Sequence, residues 1–458
     1  MPISISASSR QTHPTHTERK SRTHLFPPSL PRRSSRLFLA LKNSLAKSTR
    51  VAAIHLDGFP SFDNPIPCLT DKITSSLEIH DVQRQSNNLW RFLCSGILLA
   101  FAISVLPSAT LQAQVRVLAD GLAQPVGLAV DRSKRLWVSE MGVTPVGVPP
   151  VAFNGRISYL NLRDSNPTVI PFLTGLGTAL NAVGEPAGAH HLLTTGANSL
   201  WLVTGGPPSF VVPTMGSVYE LDISRRRRDS APHTMGGPTN NFDSVAVRQS
   251  FEIATATLEA GYDDSNAYSI AKVRGELYVI DAFANAVFKR KRGSGNFQLF
   301  ATLPPVNLGS DQDPNEVDAV PTKIIDAGNF KINDERGNRP ILFVAQLTGY
   351  PFQPGAARIW SLDKHGEMEV FIEGLTNIVD IALDPENDAL ILVSIGEWSD
   401  DIGFFQPGTG RILSIDEDGE ITTILADLFA PTAVALDTRG NLYTTSVATG
   451  EILMLERD

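Results

Sequence analysis

From residue 115 onward, apolar residues alternate with polar or small ones in short runs, and the runs recur in a fixed order. The clearest copy is Gln124 to Glu140. Pro125 opens a strand in which Leu128 and Val130 alternate with smaller residues, Asp131 to Arg135 reverses the chain, and Leu136, Trp137 and Val138 form a second strand. Period-two alternation marks a half-buried strand, Pro at a strand start needs no ladder donor, and aromatic and β-branched residues pack well on a pleated surface. The stretch predicts a β-hairpin.

The hairpin repeats. Leu192, Ile270, Ile324, Ile381 and Val434 take the place of Leu128, at intervals of 53 to 78 residues. Second strands follow as Leu200-Trp201-Leu202, Leu277-Tyr278-Val279, Leu342-Phe343-Val344, Leu390-Ile391-Leu392 and Leu442-Tyr443-Thr444. A third strand opens with Gly155-Arg156-Ile157 and with relatives at Gly216, Ala357, Gly410 and Gly450. Six such repeats predict an all-β, six-bladed β-propeller of the NHL/TolB-like kind. Trp137, Trp201 and Tyr278 share one repeat position and read as core packing.

The phase of the repeats predicts how the ring closes. Val115 to Leu118 matches the outer-strand runs Val169 to Phe172, Phe297 to Thr302 and Met368 to Ile372, whereas the chain ends on a third strand, Glu451 to Leu455. The N-terminal strand is therefore expected to complete the last blade. Long insertions follow second strands (Met141 to Asn154, Gly205 to Met215, Leu347 to Gly355, Ile395 to Pro407) or precede first strands (Gly175 to Ala189, Pro304 to Asp318). Both kinds emerge on one face, which is therefore the elaborated one. Asp326 to Arg339 departs from that rule, and Asp222 to Asp264 hides the second blade's outer strand.

The chain before residue 114 has a different grammar. Residues 1–87 are rich in Ser, Thr, Arg, Pro and His without apolar periodicity, and read as a disordered segment or an extension of the gene model. Residues 88–113 read as a secretory signal peptide: Arg91, an apolar run from Ile97 to Val105, then Leu111-Gln112-Ala113. Its apolar run is too short to span a bilayer comfortably. An organelle-targeting leader is the other reading of the Arg- and Ser-rich start. Residues 114–458 would then act in the periplasm or outside the cell, with no stable membrane span once the signal is cleaved.

Charge divides at the same place. Of 39 Lys and Arg and 48 Asp and Glu, residues 1–113 hold 13 and 6, which leaves the remainder with 26 against 42 and a balance of −16. An acidic field argues against nucleic acid or an anionic membrane as partner, and the basic run Arg225 to Arg228 reads as a solvated loop. Both cysteines, Cys68 and Cys94, precede the expected cleavage point, so the propeller must be held by its core rather than by disulfides.

Candidate chemistry lies at aligned positions. The residues closing the second strands are Glu140, Thr204, Asp281, Gln346, Ser394 and Ser446, and those preceding the Leu128 position are Gly127, His191, Ser269, Lys323, Asp380 and Ala433. Both sets are expected near the central channel, as a hydrogen-bonding cradle for a ligand, as a site for one hard cation such as Ca²⁺, or as groups that only hydrate the channel and satisfy strand ends. Lys323 is expected to neutralise Asp380. Strand alternation lets only one of His190 and His191 face the channel. No Gly-x-Ser-x-Gly elbow, phosphate loop or Cys/His cluster occurs.

One resemblance covers residues 115 to 458. Val320-Pro321-Thr322, the run from Gln346 through Thr348-Gly349-Tyr350-Pro351-Phe352 to Ile359, and Gly374 to Ala382 resemble the ScyD/ScyE family, and Gly184-Glu185 with His190 and Asp264-Ser265-Asn266 before Tyr268 fit it too. The resemblance implies an exported NHL-like propeller of the kind named for cyanobacterial biosynthesis of the extracellular pigment scytonemin. It carries no catalytic residues, and Ala189-His190-His191 stands where relatives tend to show Pro-His-Asp. The ligand-binding candidates are thus Glu140, His190, His191, Asn266, Asp281, Lys323, Gln346, Tyr350 and Asp380, with no cofactor required. The expected function is an accessory propeller that binds a small molecule or a protein of an exported pathway. The alternative is a lactonase-like hydrolase with a divalent cation in its channel.

Overall fold

A computed structural model describes residues 115–457 except 144–150, 181–185, 225–231, 235–246, 294, 311, 329, 331–339 and 385. The expected extension and signal peptide, Gly184-Glu185, Arg225 to Arg228 and most of Asp326 to Arg339 lie outside the described residues. Among the described residues, no helix is long and apolar enough to cross a membrane.

The described residues form six antiparallel blades around an axis. The inner strands are Pro125–Val130, Ala189–Thr195, Ala267–Val273, Pro321–Asp326, Ile378–Asp384 and Pro431–Leu436. Each pairs with a second strand, Arg135–Glu140, Ser199–Thr204, Glu276–Asp281, Leu342–Gln346, Ala389–Ser394 and Leu442–Ser446. Every inner strand packs against those of its two neighbours, and the sixth against the first. Strand Val115–Ala119 pairs antiparallel with Glu451–Leu455, placing Val115 opposite Leu455, so the N-terminal strand is the outer strand of blade 6 as its phase predicts. Both ends of the ring are locked in one sheet.

Two elements were hard to read in sequence. The third strand of blade 3 is Ala286–Arg290, joined to the second by only Ala282 to Asn285, so the usual Gly-Arg opening is replaced by Asn285 in a left-handed conformation. The outer strand of blade 2 is Val247–Glu252, and a short helix, Ala254–Glu259, follows it.

The repeated aromatic position is the core of each blade. Trp137, Trp201, Tyr278, Phe343, Ile391 and Tyr443 occupy one register on the second strands and are all buried. Full burial of one such side chain contributes about 1.5–3 kcal/mol. Aspartates set several hairpins: Oδ1 of Asp131, Asp363, Asp416 and Asp437 each accepts backbone N–H groups two and four residues on. That Asx geometry mimics a backbone turn and fixes the reversal.

A third repeat was not visible as a pattern. Every inner strand carries a bulge near its start, where two residues on it span one on its partner. The extra residues are Val126, His190, Tyr268, Thr322, Val379 and Thr432. A bulge breaks the two-residue alternation and re-aims side chains, and here it does so at the level of the candidate ring.

Candidate functional site

At the bulges the blades are joined by hydrogen bonds, with at least one at each junction. In even blades the bulged side chain reaches the first carbonyl of the next inner strand: His190 Nδ1 to Ala267 O at 2.8 Å, Thr322 Oγ1 to Ile378 O at 2.9 Å, and Thr432 Oγ1 to Pro125 O at 2.8 Å. At two odd junctions the following residue accepts instead. Ser269 Oγ takes the Ile324 N–H at 3.3 Å, and Asp380 Oδ2 takes the Val434 N–H at 2.8 Å. Blade 1 has Gly127 at that position, and the Ser139 hydroxyl donates to the His190 carbonyl in its stead. A Cβ on Gly127 would lie 2.6 Å from Ser139 Oγ and 2.8 Å from the His190 carbonyl, so only glycine fits.

Four blades then meet in a chain of charged and polar groups. Lys323 Nζ sits 2.7 Å from Asp380 Oδ1 and 3.1 Å from His191 Nδ1. Asp380 also accepts the Ile381 N–H at 2.8 Å beside its bond from Val434. His191, Lys323, Asp380 and Val434 thus link blades 2, 4, 5 and 6. Burial pushes the Asp380 carboxyl upward, while Lys323 and the two backbone donors pull it down.

The histidine tautomers follow from their partners. A backbone carbonyl only accepts, so His190 carries its proton on Nδ1 and leaves Nε2 as a bare acceptor. An ammonium only donates, so His191 accepts at Nδ1 and carries its proton on Nε2. Both Nε2 atoms are buried without a hydrogen-bond partner, as is Asn266 Oδ1. Burial holds His190 down at about 4 against the weaker pull of the Ala267 carbonyl, and it holds His191 well below its usual value with help from the Lys323 charge and from His190. Both rings are neutral near pH 7.

His190 and His191 were expected to point apart, but both imidazoles lie against the Tyr268 ring, with centroids 4.3 and 5.3 Å away. The bulge is the physical reason. Asn266 joins them, since its Oδ1 and the His190 ring both crowd the space over Gly205. The structure therefore brings together His190, His191, Asn266 and Tyr268, with Lys323 and Asp380 behind His191. The sequence reading singled out all but Tyr268 as candidates. The signal for it, and for Thr322 and Thr432, is the residue before the aligned ring, which is polar or aromatic in four blades.

Four other candidates are held elsewhere. Glu140 Oε1 receives Arg156 Nε at 2.5 Å and Ser158 Oγ at 2.9 Å, and Oε2 receives the Ala123 N–H at 2.9 Å. Asp281 accepts from the N–H groups of Asn266, Phe283 and Ala284 and the hydroxyls of Thr257 and Ser265, although burial still raises its carboxyl. Gln346 Oε1 receives Trp360 Nε1 at 2.6 Å. Tyr350 is 61% exposed beside an edge-on and tilted cluster of Phe352, Trp398 and Phe405, and its hydroxyl donates to Asp400. The two carboxylates expected to hold a hard cation are occupied by N–H and O–H donors and do not suit one. Among the described residues, no group of three or more His, Cys, Asp or Glu is placed to hold a metal ion.

The fold and site define a six-bladed β-propeller with a polar, asymmetric channel. No protein-family model and no curated protein matches the chain. Among solved structures it is similar to a Bacteroides thetaiotaomicron protein of unknown function, at 10% identity over 75% of this chain and 72% of that one, with a TM-score of 0.44. It is also similar to virginiamycin B lyase from Staphylococcus aureus, at 12% identity over 75% of this chain and 99% of that one, with a TM-score of 0.40. A chain of the nidogen/laminin complex matches at 12% identity over 66% of this chain and 87% of that one, with a TM-score of 0.38. These are likenesses of fold alone.

Proposed function

We propose that this chain is an exported binding propeller, an accessory factor of the kind its resemblance to the ScyD/ScyE family implies, and that it takes a small phenolic molecule beside Tyr268. One observation carries the reading: His190 Nε2 and His191 Nε2–H, two buried and unpartnered atoms of opposite hydrogen-bonding sense, flank a single aromatic ring. Native proteins rarely leave buried polar atoms unpaired, and each exception calls for a partner. A phenolic hydroxyl answers both atoms at once, donating to His190 and accepting from His191, while its ring packs against Tyr268. Asn266 Oδ1 can accept from a second hydroxyl.

The same geometry favours binding over catalysis. A histidine held at about 4 is a poor general base at neutral pH, and the carboxylates that a cation-dependent hydrolase needs are saturated by protein donors.

The test is titration of the purified full chain with p-cresol and with 4-methylanisole, which has the same ring but no hydroxyl proton. Saturable p-cresol binding, weakened about tenfold or more for the ether and lost in His191→Phe, supports the reading. Equal binding of the two overturns it. A stoichiometric divalent cation in the purified protein would instead favour the hydrolase.

A further inference from the structure

The axial channel continues below the histidines. Inner strands run from the elaborated loops toward their hairpin turns, so the residues after the bulges line the channel's opposite half. There the structure holds a chamber of about 460 Å³, to which all six inner strands contribute. Its wall is an apolar ring of Leu128, Leu192, Ile270, Ile324, Ile381 and Val434. Small-molecule sites typically enclose roughly 300–1,000 Å³ with mostly apolar walls and a few placed polar groups.

Thr194, Thr195, Lys272 and Asp326 line the chamber further along the strands, and Lys323 is the polar group at its inner end. Of the six residues that follow the bulges Lys323 alone lines the chamber. An ammonium has three N–H donors. One goes to Asp380 Oδ1 and one to His191 Nδ1, which leaves a third. Lys323 lines the chamber and is only 7% exposed, so an acceptor that reaches its third N–H from the chamber does so away from bulk water.

Charge decides what kind of head group it meets. The Lys323 charge is already balanced by Asp380, and the two other charged residues of the lining, Lys272 and Asp326, are of opposite sign. A second carboxylate would enter a site with no net positive charge to receive it, and desolvating it would cost more than one hydrogen bond returns. A neutral acceptor meets no such penalty. We infer that the lower chamber is a second binding site, for a small uncharged molecule with an apolar chain and one carbonyl or ether-type oxygen that accepts the third Lys323 N–H. It is independent of the phenol site: the two share only the contact between Lys323 and His191.

Titration of the full chain with octan-2-one, octanoate and octane, followed by ligand-observed NMR, tests this. The ketone should bind saturably and at least about tenfold tighter than either octanoate or octane. Leu436→Trp and Leu383→Trp place a large ring at the half-buried mouth from two different blades. Either should weaken the ketone at least about tenfold while leaving p-cresol binding intact, just as His190→Phe should remove p-cresol and spare the ketone. Two mouth variants keep the test valid should one fail to fold. No saturable ketone binding, ketone binding unchanged in the mouth variants, or octanoate or octane binding as tightly as the ketone would each overturn the inference.

Discussion

Asp281 and His191 are both polar, both buried, and both sit at aligned repeat positions, yet their surroundings differ in kind. Asp281 accepts five hydrogen bonds from its own blade and the segments beside it, which consume its lone pairs and pin the Ser265-Asn266 turn and the start of the third-strand loop. His191 is held at one nitrogen by Lys323 from two blades away and keeps a buried N–H without a partner. The difference separates scaffold from site. A group whose every bond is met within its blade stabilises that blade, whereas a group oriented from one side and open on the other is built to meet something else.

The contrast can be broken most severely at Asp281. Asp281→Ala takes the acceptor from five donors, of which the buried Ser265 hydroxyl and the Asn266 and Ala284 N–H groups make no other hydrogen bond among the described residues, so unfolding free energy should fall by about 4 kcal/mol, read from urea midpoints. A loss below about 1 kcal/mol would mean that the carboxylate is not a scaffold group.

Acid comes next. His190 is depressed from 6.5 to about 4, so between those values the unfolded chain binds the extra proton and stability falls as pH falls. The full loss is about 3 kcal/mol, present above pH 6.5 as stability and gone below pH 4. His191 adds to it in the same direction. Asp281 and Asp380, whose carboxyls burial raises, act in the opposite sense, losing stability as pH rises through the ordinary carboxylate range. The histidine contribution is therefore read as the difference between the wild type and His190→Phe, whose stability should decline less from pH 6.5 to 4. Parallel profiles would contradict the assigned burial.

Gly127→Ala sharpens the comparison from the junction side. Its Cβ meets the His190 carbonyl and the His191 Cα, backbone atoms that cannot rotate away, so about 2 kcal/mol should be lost together with p-cresol affinity. Retained affinity would show that the bulge does not set the histidine geometry. The smallest effect on stability belongs to His191→Phe. Removing an incompletely satisfied imidazole should change unfolding free energy by less than about 1 kcal/mol while phenol binding disappears. A large destabilisation would place His191 with Asp281 as scaffold.

Much of this molecule is legible in one dimension. Alternation around Leu128, its five copies, and the recurring aromatic on the second strand define blades because strand period and hairpin turns are local properties, each decided within about ten residues. The unmatched outer strand at Val115 even shows how the ring closes. Lys323 and Asp380 could be paired from sequence because both stand at the same repeat position around one axis.

Tertiary structure alone decided which polar residues remain open. Glu140 and Asp281 look like channel groups in the repeat alignment, but partners such as Arg156 and Thr257 come from another strand or from the short helix, at separations no local pattern encodes. The two histidines look opposed until a bulge turns both against Tyr268. Whether a buried polar atom is satisfied depends on every neighbour within about 3 Å in space. The sequence by itself therefore determined the blades and their closure, and only the assembled ring determined the site.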